Sequence, residues 1–324
     1  MDRHMEIIRL LADGGLHSGE EVAECLGVSR TAVSKAARRA ADELGIRIET
    51  IRGHGYRLSS PLELLNSQRI LSLIDSKVAR LEICDKVDST NRHLMRAAAD
   101  GAPAGIVCLA ERQTDGRGRR GRHWVSPFGS NIYLSILWRY PSGPAGLGGL
   151  SLAAGAAVAA VLERSGVDDI TLKWPNDVLW QGRKLGGLLL EVAGEVHGPS
   201  HVVVGVGVNM HLDAWQGLAI DQPWADLYTA LGHRDCSRNL LAARLITRIL
   251  QVFEVYGREG LAPFLSEWER FDRLHGCQVE IRLGEHGTRG THLGIDEQGG
   301  LMLQTADGVR HFHAGEVSLR PLEE

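Results

Sequence analysis

Twelve residues, Gln113–Trp124, interleave Arg117, Arg119, Arg120 and Arg122 with Gly116, Gly118 and Gly121. Glycine lets backbone N–H groups come close to a ligand. Arginine offers a rigid fork of donors that matches phosphate or carboxylate oxygens. Such a loop has the chemistry to wrap a polyanionic small molecule, although a solvated basic loop or a nucleic-acid patch has the same composition. A second candidate is Lys184, followed by Leu185-Gly186-Gly187-Leu188-Leu189. An ammonium on an apolar strand is costly without an anion beside it, unless it is an edge-strand lysine that blocks aggregation. A third is Asp88-Ser89-Thr90-Asn91, polar side chains at a helix start, where free N–H groups and the positive dipole end favour an anion or carbonyl. A plain N-cap gives the same pattern. There is no phosphate-binding P-loop, nucleophile elbow or zincin motif, and Gly205-Val206-Gly207 opens no helix and so is no dinucleotide fingerprint. The histidines, His311 and His313 among them, show no metal-binding pattern. Neither a nucleophilic triad nor a structural metal is expected.

The elements that must position these residues alternate along the chain. Leu81–Val87 reads as a strand feeding a helix to about Asp100, and Ile106–Glu111 as a strand feeding the Arg/Gly loop. Asn131–Tyr140 reads as the strand after it, and Gly146–Arg164 as an Ala-rich helix. Ile170–Lys173 reads as a strand ending in Trp174-Pro175-Asn176-Asp177. Val178–Trp180 and Lys184–Val192 form a hairpin across Gln181-Gly182, and His201–Val208 is the last core strand. With 324 residues, 44% hydrophobic and 23% charged, the chain has the size of two or three domains and the composition of a soluble protein. Its net charge of −4 excludes global basicity, so any DNA contact must come from local segregation of charge. Five scattered cysteines without a C-x-x-C pair suit a reducing, cytoplasmic compartment. The start of the chain is too charged for a secretory signal. The apolar region Leu147–Leu162 reads as a buried core helix and not a membrane span.

Residues 1–60 carry a different signature. An apolar helical stripe from Met5 to Leu11 stops at Gly14-Gly15. Ser18 and Glu21 form a capping box for a short helix burying Val22, Ala23 and Leu26. Ser29 caps a third helix running to Leu44, with Val33, Ala36 or Ala37, Ala40 and Leu44 facing inward. Gly19–Arg38 thus has the helix-turn-helix layout, and Arg47–Ile51 with Tyr56–Leu58 makes a hairpin wing. Nine Lys/Arg balance nine Asp/Glu here, yet Gly27–Ala41 holds four basic residues and no acid. Thr31, Ala32 and Ser34 are small enough to approach base edges, while Arg30, Lys35 and Arg38 can hold phosphates. A DNA-binding module is expected, in preference to a winged helix used for protein contacts.

As an ordered set, Asp88-Ser89-Thr90-Asn91, the Gln113–Trp124 loop, Lys173-Trp174-Pro175-Asn176-Asp177, Lys184-Leu185-Gly186-Gly187 and Gly205-x-Gly-x-Asn209 resemble the biotin–protein ligases. With the winged helix in front, the whole chain resembles their bacterial bifunctional ligase/biotin-operon-repressor type, the BirA type. The resemblance implies an α+β multidomain protein. A winged helix-turn-helix (1–60) and a linker (61–79) would precede a class II synthetase-like α/β catalytic domain (80–272) and an SH3-like C-terminal β-barrel (273–324). Strands Gln278–Leu283, Gly290–Ile295, Leu301–Thr305 and Val309–His313 suit the last of these.

The implied reaction joins biotin and ATP, with Mg²⁺, into biotinyl-5′-AMP and passes biotin to a lysine of a biotin carboxyl carrier protein. By the same resemblance Ser89, Thr90, Asn91, Gln113, Arg117, Gly118, Arg119, Lys184 and Gly187 hold biotin. Arg119, Arg122, Asn176, Asp177, Lys184, Asn209 and Trp224 hold the adenylate. Lys184, Asp177 and Arg119 act in catalysis, and Mg²⁺ sits near Asp177. Asp115 and Gly186 stand where the family often has alanine. Adenylate binding would favour a homodimer that binds operator DNA, and no membrane is involved. A lipoate ligase and a metabolite-sensing repressor without ligase activity are the competing readings.

Overall fold

The computed structural model describes residues 3–195, 198–283, 286–313 and 317–321. At the N-terminus α1 (Arg3–Leu11), α2 (Gly19–Leu26) and α3 (Arg30–Leu44) pack around Ile7, Ile8, Val22, Val33, Ala37 and Ala40, followed by the hairpin β1 (Ile48–Ile51) and β2 (Gly55–Leu58). Ser18 and Ser29 accept hydrogen bonds from the N–H groups of Glu21 and Ala32, stopping both helices from fraying. The Ser18 box closes only halfway, because the Glu21 carboxylate meets His17 Nδ1 at 3.3 Å. Gly55 is required where it stands, since a Cβ there would lie 1.9 Å from the His17 carbonyl oxygen.

Residues 61–66, expected as a linker packed down by Leu62, Leu64 and Leu65, are also tied down by hydrogen bonds. Glu63 accepts from Ser237 Oγ, the Arg238 N–H and Asn239 Nδ2, and the Leu65 N–H donates to Glu111 Oε1 at 2.6 Å. Asn66 caps the short helix α4 (Ser67–Leu71), whose Ile70 is buried in the main core. These partners lie some 46 to 176 residues away in sequence, which is why local composition reads as a loop.

The central sheet has seven strands in the order β3-β4-β5-β9-β8-β7-β6. They are β3 (Arg80–Cys84), β4 (Ile106–Ala110), β5 (Asn131–Tyr140), β6 (Ile170–Lys173), β7 (Asp177–Trp180), β8 (Arg183–Gly194) and β9 (Ser200–Asn209). Only β3 and β4 run parallel; every other pair is antiparallel. One face carries α6 (Leu150–Arg164) and α9 (Arg238–Glu259); α5 (Thr90–Ala99) covers the other over Ile106, Cys108, Leu137 and Val203. Burial of both faces accounts for the near-continuous apolar run of β4. The Ala-rich α6 is buried from Leu152 to Leu162, as an all-round apolar core helix should be. With the 3₁₀ turn before it, it forms the one helical stretch among the described residues, Pro144–Arg164, that is long and apolar enough to cross a membrane.

Short helices α7 (Ala214–Gly217) and α8 (Leu227–Ala230) follow β9, and α10 (Leu265–Phe271) follows α9. The C-terminal sheet is antiparallel, ordered β13-β12-β11-β10-β14, from β10 (Gln278–Leu283), β11 (His286–Ile295), β12 (Leu301–Thr305), β13 (Gly308–Phe312) and β14 (Val317–Pro321). The last of these has no counterpart in the sequence reading.

Candidate active site

A cavity of about 580 Å³ opens where α5, the Arg/Gly loop, the β6–β7 turn and strands β8 and β9 converge. Its polar wall is built from α5 outward. Ser89 Oγ caps α5 by accepting from the Arg92 N–H at 3.5 Å, so the plain N-cap and the ligand wall are one residue. The Thr90 N–H donates to Gln113 Oε1 at 2.9 Å, and Gln113 Nε2 donates to Ser126 Oγ. Asn91 Nδ2 donates to Glu191 Oε2 and to the Leu189 carbonyl, while Ser135 Oγ lies 2.6 Å from Asn91 Oδ1. Side chains held this firmly are preorganised for a polar ligand.

The Arg/Gly loop folds as a narrow hairpin over this wall. The Trp124 N–H donates to the Gly116 carbonyl and the Gly118 N–H to the Arg122 carbonyl, each at 2.8 Å. Gly116 cannot be replaced here, since a Cβ would meet the Trp124 carbonyl oxygen at 2.4 Å. Two loop arginines reach across the cavity: Arg117 Nη1 to Glu191 Oε1 at 3.0 Å, and Arg119 Nη1 to Asn176 Oδ1 at 3.2 Å. Asp115 pairs with Arg92 at 2.7 Å and so anchors the loop base to α5. Burial pulls the Arg119 guanidinium below its ordinary pKa, with Asp177 opposing that shift. An anion arriving beside it would meet a cation short of solvation.

Across from the loop, Lys184 Nζ lies 2.8 Å from Asp177 Oδ1, with side-chain exposures of 15% and 21%. This is the anion that an apolar-strand lysine needs. Gly187 leaves room for the lysine, its would-be Cβ lying 3.3 Å from Lys184 Cε. Asn176 clamps the same strand, donating to the Leu188 carbonyl at 2.6 Å and accepting from its N–H. Arg117, Arg119, Arg120, Arg122, Lys173 and Lys184 line the cavity against two acids, Asp177 and Asp221. That imbalance suits a ligand bearing several negative charges.

The structure therefore gathers Ser89, Thr90, Asn91, Gln113, Arg117, Gly118, Arg119, Arg122, Asn176, Asp177, Lys184 and Gly187 around one cavity. Asn209 and Trp224 depart from expectation: neither is among its lining residues. Segment 223–225 pairs with Lys184 through Lys184 N–H to Pro223 O and Ala225 N–H to Lys184 O, both 2.9 Å. Asn209 Nδ2 braces that segment at the Ala225 carbonyl. The Trp224 indole turns onto Gly217, where a Cβ would stand 2.1 Å away. Both residues hold the backbone of Lys184 from behind, and Ala219, Asp221 and Gln222 supply that side of the cavity.

Ser135 and Glu191 were not anticipated, because a serine and a glutamate on strands carry no spacing signal. Gly205 and Gly207 did carry one. Two glycines at i and i+2 share one face of β9, and a Cβ on them would stand 2.1 Å from Asn91 Oδ1 and 2.6 Å from Trp124 Cε2. The Trp124 indole thus lies flat on the strand as a cavity wall. Its Nε1 is buried without a hydrogen-bond partner among the described residues.

On the N-terminal module Arg30, Thr31, Ser34, Lys35 and Arg38 are exposed along α3, with Ala32 half-buried among them. Arg39, not singled out from the sequence, is exposed beside them.

Profile comparison matches residues 3–57 to an HTH domain, 84–209 to the Biotin/lipoate A/B protein ligase family, and 274–320 to the Biotin protein ligase C terminal domain. The chain is 41% identical over 321 residues to the bifunctional ligase/repressor BirA of Escherichia coli, covering 99% of this chain and 98% of that one. It is 35% identical to the biotin–[acetyl-CoA-carboxylase] ligase of Mycobacterium tuberculosis, covering 81% and 97%. Among solved structures, the biotin protein ligase from Aquifex aeolicus in complex with biotin and ATP superposes with a TM-score of 0.64. Identity there is 29%, over 75% of this chain and all of that one.

Proposed function

The chain belongs to the biotin protein ligases of the bifunctional ligase/repressor type, and from that premise we propose how its residues divide the work. It is a biotin–protein ligase and a repressor of the biotin operon. In the first step a biotin carboxylate oxygen attacks the α-phosphorus of ATP and pyrophosphate leaves. In the second, the amine of a carrier-protein lysine attacks the acyl carbon of biotinyl-5′-AMP and AMP leaves. Neither step needs a covalent nucleophile from the enzyme, only positioning and charge neutralisation.

Ser89, Thr90, Asn91 and Gln113, with the backbone at Arg117 and Gly118, hold the biotin head group; Trp124 walls its tail. Lys184 lies between the biotin carboxylate and the α-phosphate and meets the charge that grows there as the bond forms. Arg119 and Arg122 close over the adenylate and keep water from the anhydride. Asn176 links Arg119 to the strand that carries Lys184. Asn209 and Trp224 act as positioning residues through the Lys184 backbone.

Asp177 presents a carboxylate oxygen beside a cavity suited to phosphates, the donor Mg²⁺ selects when it arrives with a nucleotide. The bound ion would neutralise phosphate oxygens and ease departure of pyrophosphate. In the second step Asp177 orients the incoming lysine.

The observation that carries this reading is the Lys184–Asp177 pair inside a cavity dominated by cations. Its test supplies the full chain with ATP, a carrier domain, and either biotin or lipoate. Biotin-dependent pyrophosphate release with acylation of one carrier lysine is expected. Turnover of lipoate alone would overturn it.

The repressor half rests on α3, whose exposed basic face suits a major groove. Adenylate binding favours a homodimer, and paired half-sites favour operator DNA. Sedimentation with and without biotin plus ATP reads the assembly, and no shift would remove this corepressor model. Lys35→Glu with Arg38→Glu should abolish operator binding; unchanged affinity would end the DNA assignment of α3. The reactions belong to the cytoplasm, where ATP and the carrier protein are found.

A further inference from the structure

Outside the cavity, where α5 covers strands β3 and β4, two thiols and an imidazole converge from three elements. Cys84 lies on β3 and Cys108 on β4, and the register pairing Glu82 with Cys108 puts Glu82, Cys84 and Cys108 on one face of this parallel pair. That face is the one α5 covers, and α5 contributes His93. One ligating atom from each of Cys84, His93 and Cys108 lies within 4.8 Å of the other two. Around a tetrahedral ion with bonds of roughly 2.0 to 2.3 Å, such atoms stand about 3.5 to 3.8 Å apart. Closing the cluster therefore shortens any one separation by about 1.3 Å at most, within reach of side-chain torsions.

Two further features suit an ion. Glu82 Oε2 lies 2.6 Å from His93 Nε2, the carboxylate support that orients a metal-ligating imidazole and leaves the other nitrogen's lone pair available. Glu82 is itself held by Arg80. Cys108 is fully buried while Cys84 and His93 are half-exposed, so the cluster has a closed floor and an open side.

We propose that Cys84, His93 and Cys108 form a binding site for a thiophilic metal ion, Zn²⁺ by its ligand set, with the fourth position open to solvent. Two thiolates and one imidazole select zinc over magnesium or calcium. The site is separate from the carboxylate chemistry at Asp177. It is invisible in the sequence, because positions 84, 93 and 108 form no short metal-binding spacing. The ion would tie α5 to β3 and β4.

The test uses the full chain, reduced and freed of metal with a chelator. Co²⁺ should give a thiolate-to-metal charge-transfer band with the visible absorption of a tetrahedral site, and one equivalent of Zn²⁺ should bleach both. Zn²⁺ should shield Cys84 from alkylation while Cys25, exposed on the N-terminal module, stays reactive. Cys84→Ser and His93→Gln should each weaken Zn²⁺ binding at least about tenfold, and Glu82→Gln should do so by about tenfold. Cys108→Ser carries a folding risk because its site is fully buried, so the half-exposed Cys84 and His93 are the positions varied. Zn²⁺ should raise the melting temperature of the wild type and not that of the Cys84→Ser/His93→Gln variant. Absence of the cobalt band, or equal Zn²⁺ affinity in wild type and double variant, would overturn the proposal.

Discussion

Removing the Lys184 ammonium while keeping the strand intact, as in Lys184→Ala, tests the centre of the mechanism. Lys184 Nζ lies 2.8 Å from Asp177 Oδ1 in a cavity where both side chains are mostly buried. A preorganised donor aimed at charge that develops in the transition state contributes about 2.7 to 4 kcal/mol, so adenylation should slow by about 10² to 10³. Asp177 keeps a cationic neighbour in Arg119. The variant should therefore lose only about 1 to 2 kcal/mol of stability, well short of the 3 to 5 typical when a buried charge is stranded. The assay is single-turnover pyrophosphate release at saturating biotin and ATP, with a thermal melt as control. A group used only in the transition state lowers kcat and kcat/KM together. An unchanged kcat with a raised KM would reduce Lys184 to a binding residue. Pyrophosphate release at near wild-type rate would refute the role altogether.

Three further outcomes follow from neighbouring geometry. Arg119→Ser removes the link to Asn176 Oδ1 and should speed escape of biotinyl-5′-AMP by about 10- to 100-fold, the worth of a hydrogen bond to a charged group; wild-type retention in a stopped-flow release assay would count against the loop as a lid. Gly207→Ala drives a Cβ to 2.6 Å from Trp124 Cε2. It should cost about 1 to 3 kcal/mol in denaturation and raise the biotin KM about tenfold, and an unchanged KM would free Trp124 from the biotin wall. Hydrogen bonds from Arg96, with those from the Ser89 N–H and Arg92, hold the Asp88 carboxyl well below its ordinary value of 3.8. Because its folded pKa is depressed, Asp88 stabilises the protein above that value, and the contribution fades as pH falls toward the folded pKa. Asp88→Asn should thus be less stable by about 1 kcal/mol at neutral pH, with the gap to wild type narrowing in acid; a gap constant down to about pH 2.5 would contradict this.

Much of this protein is local, and local features are legible in a chain. Ser18, Gly27, Ser29 and Gly45 start and stop α2 and α3 wherever those helices end up, because a cap acts within four residues of itself. Long, nearly unbroken apolar runs likewise mark α6 and the inner strands of the central sheet. The cavity residues on α5, the Arg/Gly loop, the β6–β7 turn and β8 announced themselves through residue types that have no purpose in a plain core. What the chain could not disclose depends on partners far away in sequence. Glu63 and Asn66 look like linker residues until they meet Ser237, Arg238 and Asn239. Trp224 looks like a lid for a base until its pairing with Lys184 turns the indole onto Gly217. Gly205 and Gly207 signal a close approach, but only the tertiary fold brings Asn91 and Trp124 to them. Hydrogen bonds and contacts of that kind depend on distance in space, and sheet order sets that distance. The parallel pairing of β3 with β4 under α5 brings Cys84, His93 and Cys108 together, and no spacing along the sequence could have done so.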